Sequence, residues 1–97
     1  MITGKQRSYL KKLAHELSPT VFIGKSGVTE NIKKELENGF ESRELVKIKF
    51  QEGALLDPKT TANELAEDLG AEFVQSIGRK AVLYRESKEN KSIELPK

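Results

Sequence analysis

Gly24-Lys25-Ser26-Gly27, set in the stretch FIGKSGVTE, is the place where residue type and spacing could do chemistry. Glycines let a backbone come close to an anion, the lysine adds charge, and the serine adds a hydroxyl donor. A phosphate is therefore the expected ligand. A nucleotide-binding P-loop would need a further glycine five positions before Gly24, and Pro19 stands there. No G-x-G-x-x-G dinucleotide fingerprint occurs either. The remaining chemistry is sparse. The chain has one histidine, His15, and no cysteine, so thiolate catalysis, disulfides and the usual zinc sites are not expected. No Gly-x-Ser-x-Gly elbow accompanies the serines. The expectation is no catalytic residue, no metal and no cofactor.

Charge narrows the partner. Residues 1–50 carry net +4 and residues 51–97 net −2, so the overall +2 hides an asymmetry. Within residues 1–34, Lys5, Arg7, Lys11, Lys12, Lys25, Lys33 and Lys34 face only Glu16 and Glu30. Positive charge concentrated around a glycine loop points to an anionic partner. Hydrophobic content of 36% beside 33% charged residues fits one globular domain over residues 1–97. No apolar run approaches the ~20 residues that span a bilayer, and no signal-peptide core follows the N-terminal lysines. A cytoplasmic location is expected, without a membrane partner.

The elements that must position the loop follow from caps and periodicity. Thr3 with Gln6 forms a capping box, and Tyr9, Leu10, Leu13, Ala14 and Leu17 make an apolar stripe until Ser18-Pro19 ends the helix. Tyr9 is assigned to the core beside Leu10 and Leu13, and His15 to solvent. Lys5 and Lys12 fall on one flank of the stripe, Arg7 and Lys11 on the other. Thr20 to Ile23 reads as a strand. Thr29 caps a second helix with Ile32, Leu36, Gly39 and Phe40 inward and Lys33 and Lys34 off that face. Leu45 to Phe50 alternates as a second strand with Val46, Ile48 and Phe50 inward. Asp57-Pro58 opens a third helix, with Ala62, Leu65, Ala66 and Leu69 inward, that Gly70 closes. Phe73 to Ile77, the turn Gly78-Arg79-Lys80 and Ala81 to Arg85 form a hairpin. Residues 86–97 are a polar extension in which Ile93 and Leu95 could dock. The predicted class is α/β, α+β-like: an N-terminal helix, then β-α-β-α-β-β, in a two-layer sandwich with a four-stranded mixed sheet. The strand order is left open.

Four segments together resemble a known family: TGKQRSYLKKLAHELSP at 3–19, IGKSGVT at 23–29, ELVKIK at 44–49 and VQSIGRKAVLYR at 74–85. The chain is similar to the CRM domain (chloroplast RNA splicing and ribosome maturation), in its stand-alone bacterial YhbY form. The resemblance implies a fold like the C-terminal domain of translation initiation factor three. It also implies RNA binding through the Gly-x-x-Gly loop and association with large-subunit ribosomal precursors. By position, Gly24, Lys25, Ser26 and Gly27 take the loop role. Charge and position add Lys11, Lys12, Lys33 and Lys34 as a flanking patch. In K-homology domains such a loop clamps a nucleic-acid backbone and joins two helices, whereas here it joins a strand to a helix. Where a basic or proline-containing tail is expected after Tyr84-Arg85, this chain has Glu86, Glu89 and Glu94, which argues against RNA contact by the tail.

Few exposed aromatics are expected, which favours shape recognition over extensive base stacking; Tyr84 is left open between core and stacking. Arg79 and Lys80 are basic turn residues with no specific role assigned. Two other function classes stay in view. One is an enzyme holding a small phosphorylated metabolite in the same loop, and the other is a protein-interaction domain using the sheet edge or the Ile93-Leu95 segment. Steep salt dependence would separate RNA binding from the latter.

Overall fold

The computed structural model describes residues 2–97, in the order α1 (Gly4–His15), β1 (Val21–Ile23), α2 (Glu30–Arg43), β2 (Leu45–Phe50), α3 (Pro58–Leu69), β3 (Glu72–Ile77) and β4 (Lys80–Tyr84). The expected succession of three helices and four strands is observed. Local chemistry sets the helix starts. Thr3 and Gln6 form the reciprocal capping box of α1, Thr29 Oγ1 accepts from the Ile32 amide, and Asp57 accepts from the Thr60 amide ahead of Pro58. Gly70 closes α3 in the left-handed region, with φ 66°.

The sheet has the order β1-β2-β4-β3. β1 and β2 are parallel, and β4 runs antiparallel to both of its neighbours, so β3 points the same way as β1 and β2. The β3–β4 hairpin folds β4 back into the gap between β2 and β3. Both crossovers advance in one direction along the sheet, and right-handedness then puts α2 and α3 on one face. There Ile23, Leu36, Phe40, Ile48, Phe50 and Leu83 form the centre of the main core. Gly39 allows α2 to approach β2 closely: a β-carbon there would lie 2.8 Å from Val46 Cγ2.

The layering differs from the expected two-layer sandwich in one respect. The opposite face of the sheet is also covered, by Leu10 and Ala14 of α1 packed on Leu45, Val74, Val82 and Tyr84, with Leu13, Ile93 and Leu95 alongside. Helix and strand periodicity reveal that each element has an apolar face but not which sheet face it covers. Tyr9 is a second correction. It is 37% exposed because the buried line of α1 runs through Leu10 and Ala14 and leaves it to one side, and Leu17, also 37% exposed, lies past the end of the helix at His15. Lys47 ties down the end of α1: its ammonium donates to the carbonyls of Ala14 and Leu17, both at 3.2 Å.

A buried carboxylate organises the C-terminal segment. Glu44 is the C-cap of α2, with φ 68°, and its side chain is fully enclosed. It accepts 2.8 Å hydrogen bonds from the amides of Ser87, Ser92 and Ile93, and a 3.4 Å bond from the Ser92 hydroxyl. Burial alone would raise its pKa, but these donors outweigh that and hold it below the ordinary carboxylate value. Gln6 Nε2 adds a 2.9 Å bond to the Pro96 carbonyl, so the polar extension is folded back along α1.

Candidate nucleic-acid interface

The Gly-x-x-Gly segment sits between the C-terminal end of β1 and the N-terminus of α2. The Gly27 amide donates to the Gly24 carbonyl at 2.9 Å, closing a four-residue turn that puts Lys25 and Ser26 at its tip, both exposed. Gly27 has φ +70°, a conformation that L side chains rarely adopt. Gly24 is close to its surroundings in a different way: a β-carbon there would come within 2.6 Å of Gln51 Oε1, the far end of a flexible side chain that can move aside. That glutamine belongs to the segment after β2, where the Gln51 amide donates to the Ile23 carbonyl at 2.8 Å and buttresses the turn. Among the described residues, neither side chain nor amide of Lys25 or Ser26 has a hydrogen-bond or ion-pair partner. The turn thus presents an ammonium and a hydroxyl to solvent, with the Lys25 and Ser26 amides unpaired, beside the positive end of the α2 dipole.

The flanking lysines are not equivalent. Lys11 and Lys12 line one cleft of about 480 Å³ with His15, Gln75 and Ile77, although helical geometry had put them on opposite flanks of the apolar stripe. The cleft is shallow enough to include residues from a broad arc of α1. Lys34 is exposed on α2. Lys33 pairs with Asp68 of α3 at 3.0 Å, and the hydrogen bond and charge of Asp68 raise its pKa. A phosphate would have to compete with that carboxylate. Beyond Asp68 the outer surface of α3 is acidic, with Glu64 and Glu67 beside it. The charge asymmetry of the sequence therefore has a spatial counterpart, with anionic α3 on one side and the cationic turn and α1 cleft elsewhere.

Other basic and aromatic residues divide between structural and exposed. Arg79 clamps the segment after β2 by donating to the carbonyls of Phe50 (3.0 Å), Gln51 (2.8 Å) and Ala54 (3.2 Å). Arg85 makes a forked pair with Glu37, at 3.1 and 2.8 Å, and lies 5.0 Å above the Phe40 ring. Tyr84 belongs to the core at 3% exposure, and burial followed by the charges of Glu44 and Glu86 pushes its hydroxyl up to about 12. Phe22, by contrast, is 47% exposed two residues before Gly24. Sequence reasoning did not single it out. The signal was available, since Val21 and Ile23 both point inward and strand alternation turns the residue between them outward.

Among the described residues, no helix is long and apolar enough to cross a membrane, and no group of three or more His, Asp or Glu side chains could hold a metal ion. Comparison with known proteins is consistent across nearly the whole chain. The Bacillus subtilis (strain 168) protein named "Probable RNA-binding protein YqeI" is 43% identical over 96 residues, covering 99% of this chain and 100% of that protein. A Haemophilus influenzae protein named "RNA-binding protein" is 38% identical over 96 residues, covering 99% of this chain and 96% of its own length. The solution structure of the hypothetical protein SAV1595 from Staphylococcus aureus superposes with a TM-score of 0.82 at 48% identity, over 99% of this chain and 100% of that one. The family model described as the CRS1 / YhbY (CRM) domain matches residues 2–85. With that match, the sequence identities and the shared fold in agreement, the chain belongs to the CRS1 / YhbY (CRM) domain family.

Proposed function

We propose that this protein is a non-enzymatic RNA-binding module that acts on ribosomal RNA in large-subunit precursors and assists their assembly. The observation that carries the RNA reading is the turn Gly24–Gly27, whose exposed Lys25 and Ser26 have no partner within the described protein. Relatives named as RNA-binding proteins support the same ligand class. The ribosomal assignment rests on the family resemblance. Mechanistically, the turn holds a backbone phosphate through the amides of Lys25 and Ser26, the Lys25 ammonium and the Ser26 hydroxyl. Lys11, Lys12 and Lys34 supply the salt-dependent, sequence-independent part of the affinity. Lys33 contributes less, because its charge is already neutralised by Asp68.

Lys25→Asp/Ser26→Asp tests the reading. Both residues are exposed, so the fold should survive while two carboxylates now face the phosphate. Loss of binding to precursor ribosomal RNA in a mobility-shift assay, with an unchanged thermal melt, is the expected result. Undiminished affinity would remove the turn from the mechanism.

A further inference from the structure

Pairing registers place Phe22, Lys49, Lys80 and Ile77 in one row across all four strands: Phe22 opposite Lys49, Lys49 opposite Lys80, and Lys80 opposite Ile77. Their neighbours Ile23, Ile48, Phe50 and Ala81 point into the core under α2 and α3, so this row lies on the face that α1 covers. α1 stops short of it. The preceding row, Lys47, Val82 and Gln75, is buried or half-buried where Lys47 reaches the carbonyls at the helix end. All four residues of the outer row are exposed, with Phe22 at 47% and Ile77 at 68%.

The row is about 14 Å across, three strand spacings. It connects two cationic features that otherwise lie at opposite edges of the sheet. Phe22 on β1 is two residues from Gly24, and Ile77 on β3 lines the cleft with Lys11, Lys12 and His15. Among the described residues, Lys49 and Lys80 have no ion pair, and the only cation stacked on a ring is Arg85 over Phe40. The Phe22 ring is therefore not capped by a cation. An apolar ring at the edge of the sheet, followed along the row by two free ammonium groups, fits an aromatic base whose adjoining phosphates are negative. Structured duplex fits worse, because its bases are already stacked on one another.

We propose that this open sheet row binds an unpaired stretch of RNA, with one base stacked on Phe22 and its phosphates held by Lys49 and Lys80, threading between the Gly24–Gly27 turn and the α1 cleft. The proposal rests on the RNA-binding reading and adds to it the strandedness of the bound segment.

The test measures binding of a fluorescent oligoadenylate and of an RNA duplex of equal length by anisotropy, for wild type, Phe22→Ala, Phe22→Tyr, Lys49→Gln/Lys80→Gln and Lys25→Asp/Ser26→Asp. Thermal melts check that each variant folds. Phe22→Ala should weaken oligoadenylate binding roughly fivefold to a hundredfold, the usual range for losing one stacked base, and leave duplex binding within about twofold. Phe22→Tyr should retain affinity. The double lysine variant should flatten the logarithmic salt dependence for oligoadenylate by about 1.4, from ~0.7 per phosphate contact. If Phe22→Ala leaves oligoadenylate affinity unchanged while the turn variant abolishes it, the row is overturned and the turn stands. If wild type binds neither probe, the RNA reading itself fails. If Phe22→Ala instead abolishes concentration-dependent self-association with RNA affinity intact, the row belongs to a second copy of this chain and the proposal is overturned.

Discussion

Replacing Glu44 by Gln keeps the shape of a fully enclosed side chain but removes its charge and turns one oxygen into an NH2 group. One carboxylate oxygen accepts from the Ser92 and Ile93 amides and the other from the Ser87 amide, each at 2.8 Å. A glutamine oxygen can keep the first two, weakened by the loss of charge, and the NH2 then confronts the Ser87 amide, donor against donor. A hydrogen bond to a charged group contributes about 1.5–3 kcal/mol and an orphaned buried donor costs about 1–3, so the variant should lose about 3 kcal/mol. For a chain of this size that is a fall in Tm of the order of 10–20 °C. The loss should also depend on pH. Because the folded-state pKa of Glu44 lies below its ordinary value, its stabilisation is fully present above the unfolded-state value of ~4.3. It disappears as pH falls through the lower folded value. Urea denaturation from neutral pH downward should therefore show wild type and variant converging in acid. Amide hydrogen exchange should report early release of Ser87, Ser92 and Ile93. A difference below about 0.5 kcal/mol at pH 7, or one that stays constant into acid, would refute the account of Glu44 as the anchor of the C-terminal segment.

Gly27→Ala should cost about 1 kcal/mol by urea denaturation because of its positive φ, whereas Gly24→Ala should cost less, since the atom it meets is the mobile end of Gln51. Gly39→Ala should destabilise by about 1–3 kcal/mol, because α2 cannot keep its distance from Val46 with a β-carbon interposed. Single Lys→Gln changes at Lys11, Lys12 or Lys34 should each reduce the salt slope of RNA binding by ~0.7–0.9, while Lys33→Gln, already paired with Asp68, should change it least.

What the sequence made legible was local. Thr3 with Gln6, Thr29, Asp57-Pro58 and Gly70 act within one helical turn, so all three helix starts and the end of α3 could be placed from neighbouring residues. Strand alternation likewise identified Val46, Ile48 and Phe50 as the inward side of β2. What escaped was long-range. Insertion of β4 between β2 and β3 depends on pairing across the sheet, and burial of its second face depends on where α1 returns. Glu44 reads in sequence as one more surface glutamate, because its positive φ and its donors 43 to 49 residues away leave no local mark. Lys33 read as a free cation for the same reason, its partner lying on a different helix. Of the candidate interface, the turn was legible from its glycines. The open row was not, because Lys49, Lys80 and Ile77 become neighbours of Phe22 only through sheet register.

The claim on which the functional account depends is that the turn ahead of α2 grips the RNA backbone. Amide chemical-shift mapping of the labelled protein during titration with precursor ribosomal RNA tests it most directly. The account predicts that Gly24 to Gly27, together with Glu30 and Asn31 at the start of α2, move first and furthest as RNA is added. Shifts concentrated on Glu64, Glu67 and Asp68 of α3, with the turn unmoved at saturation, would contradict it.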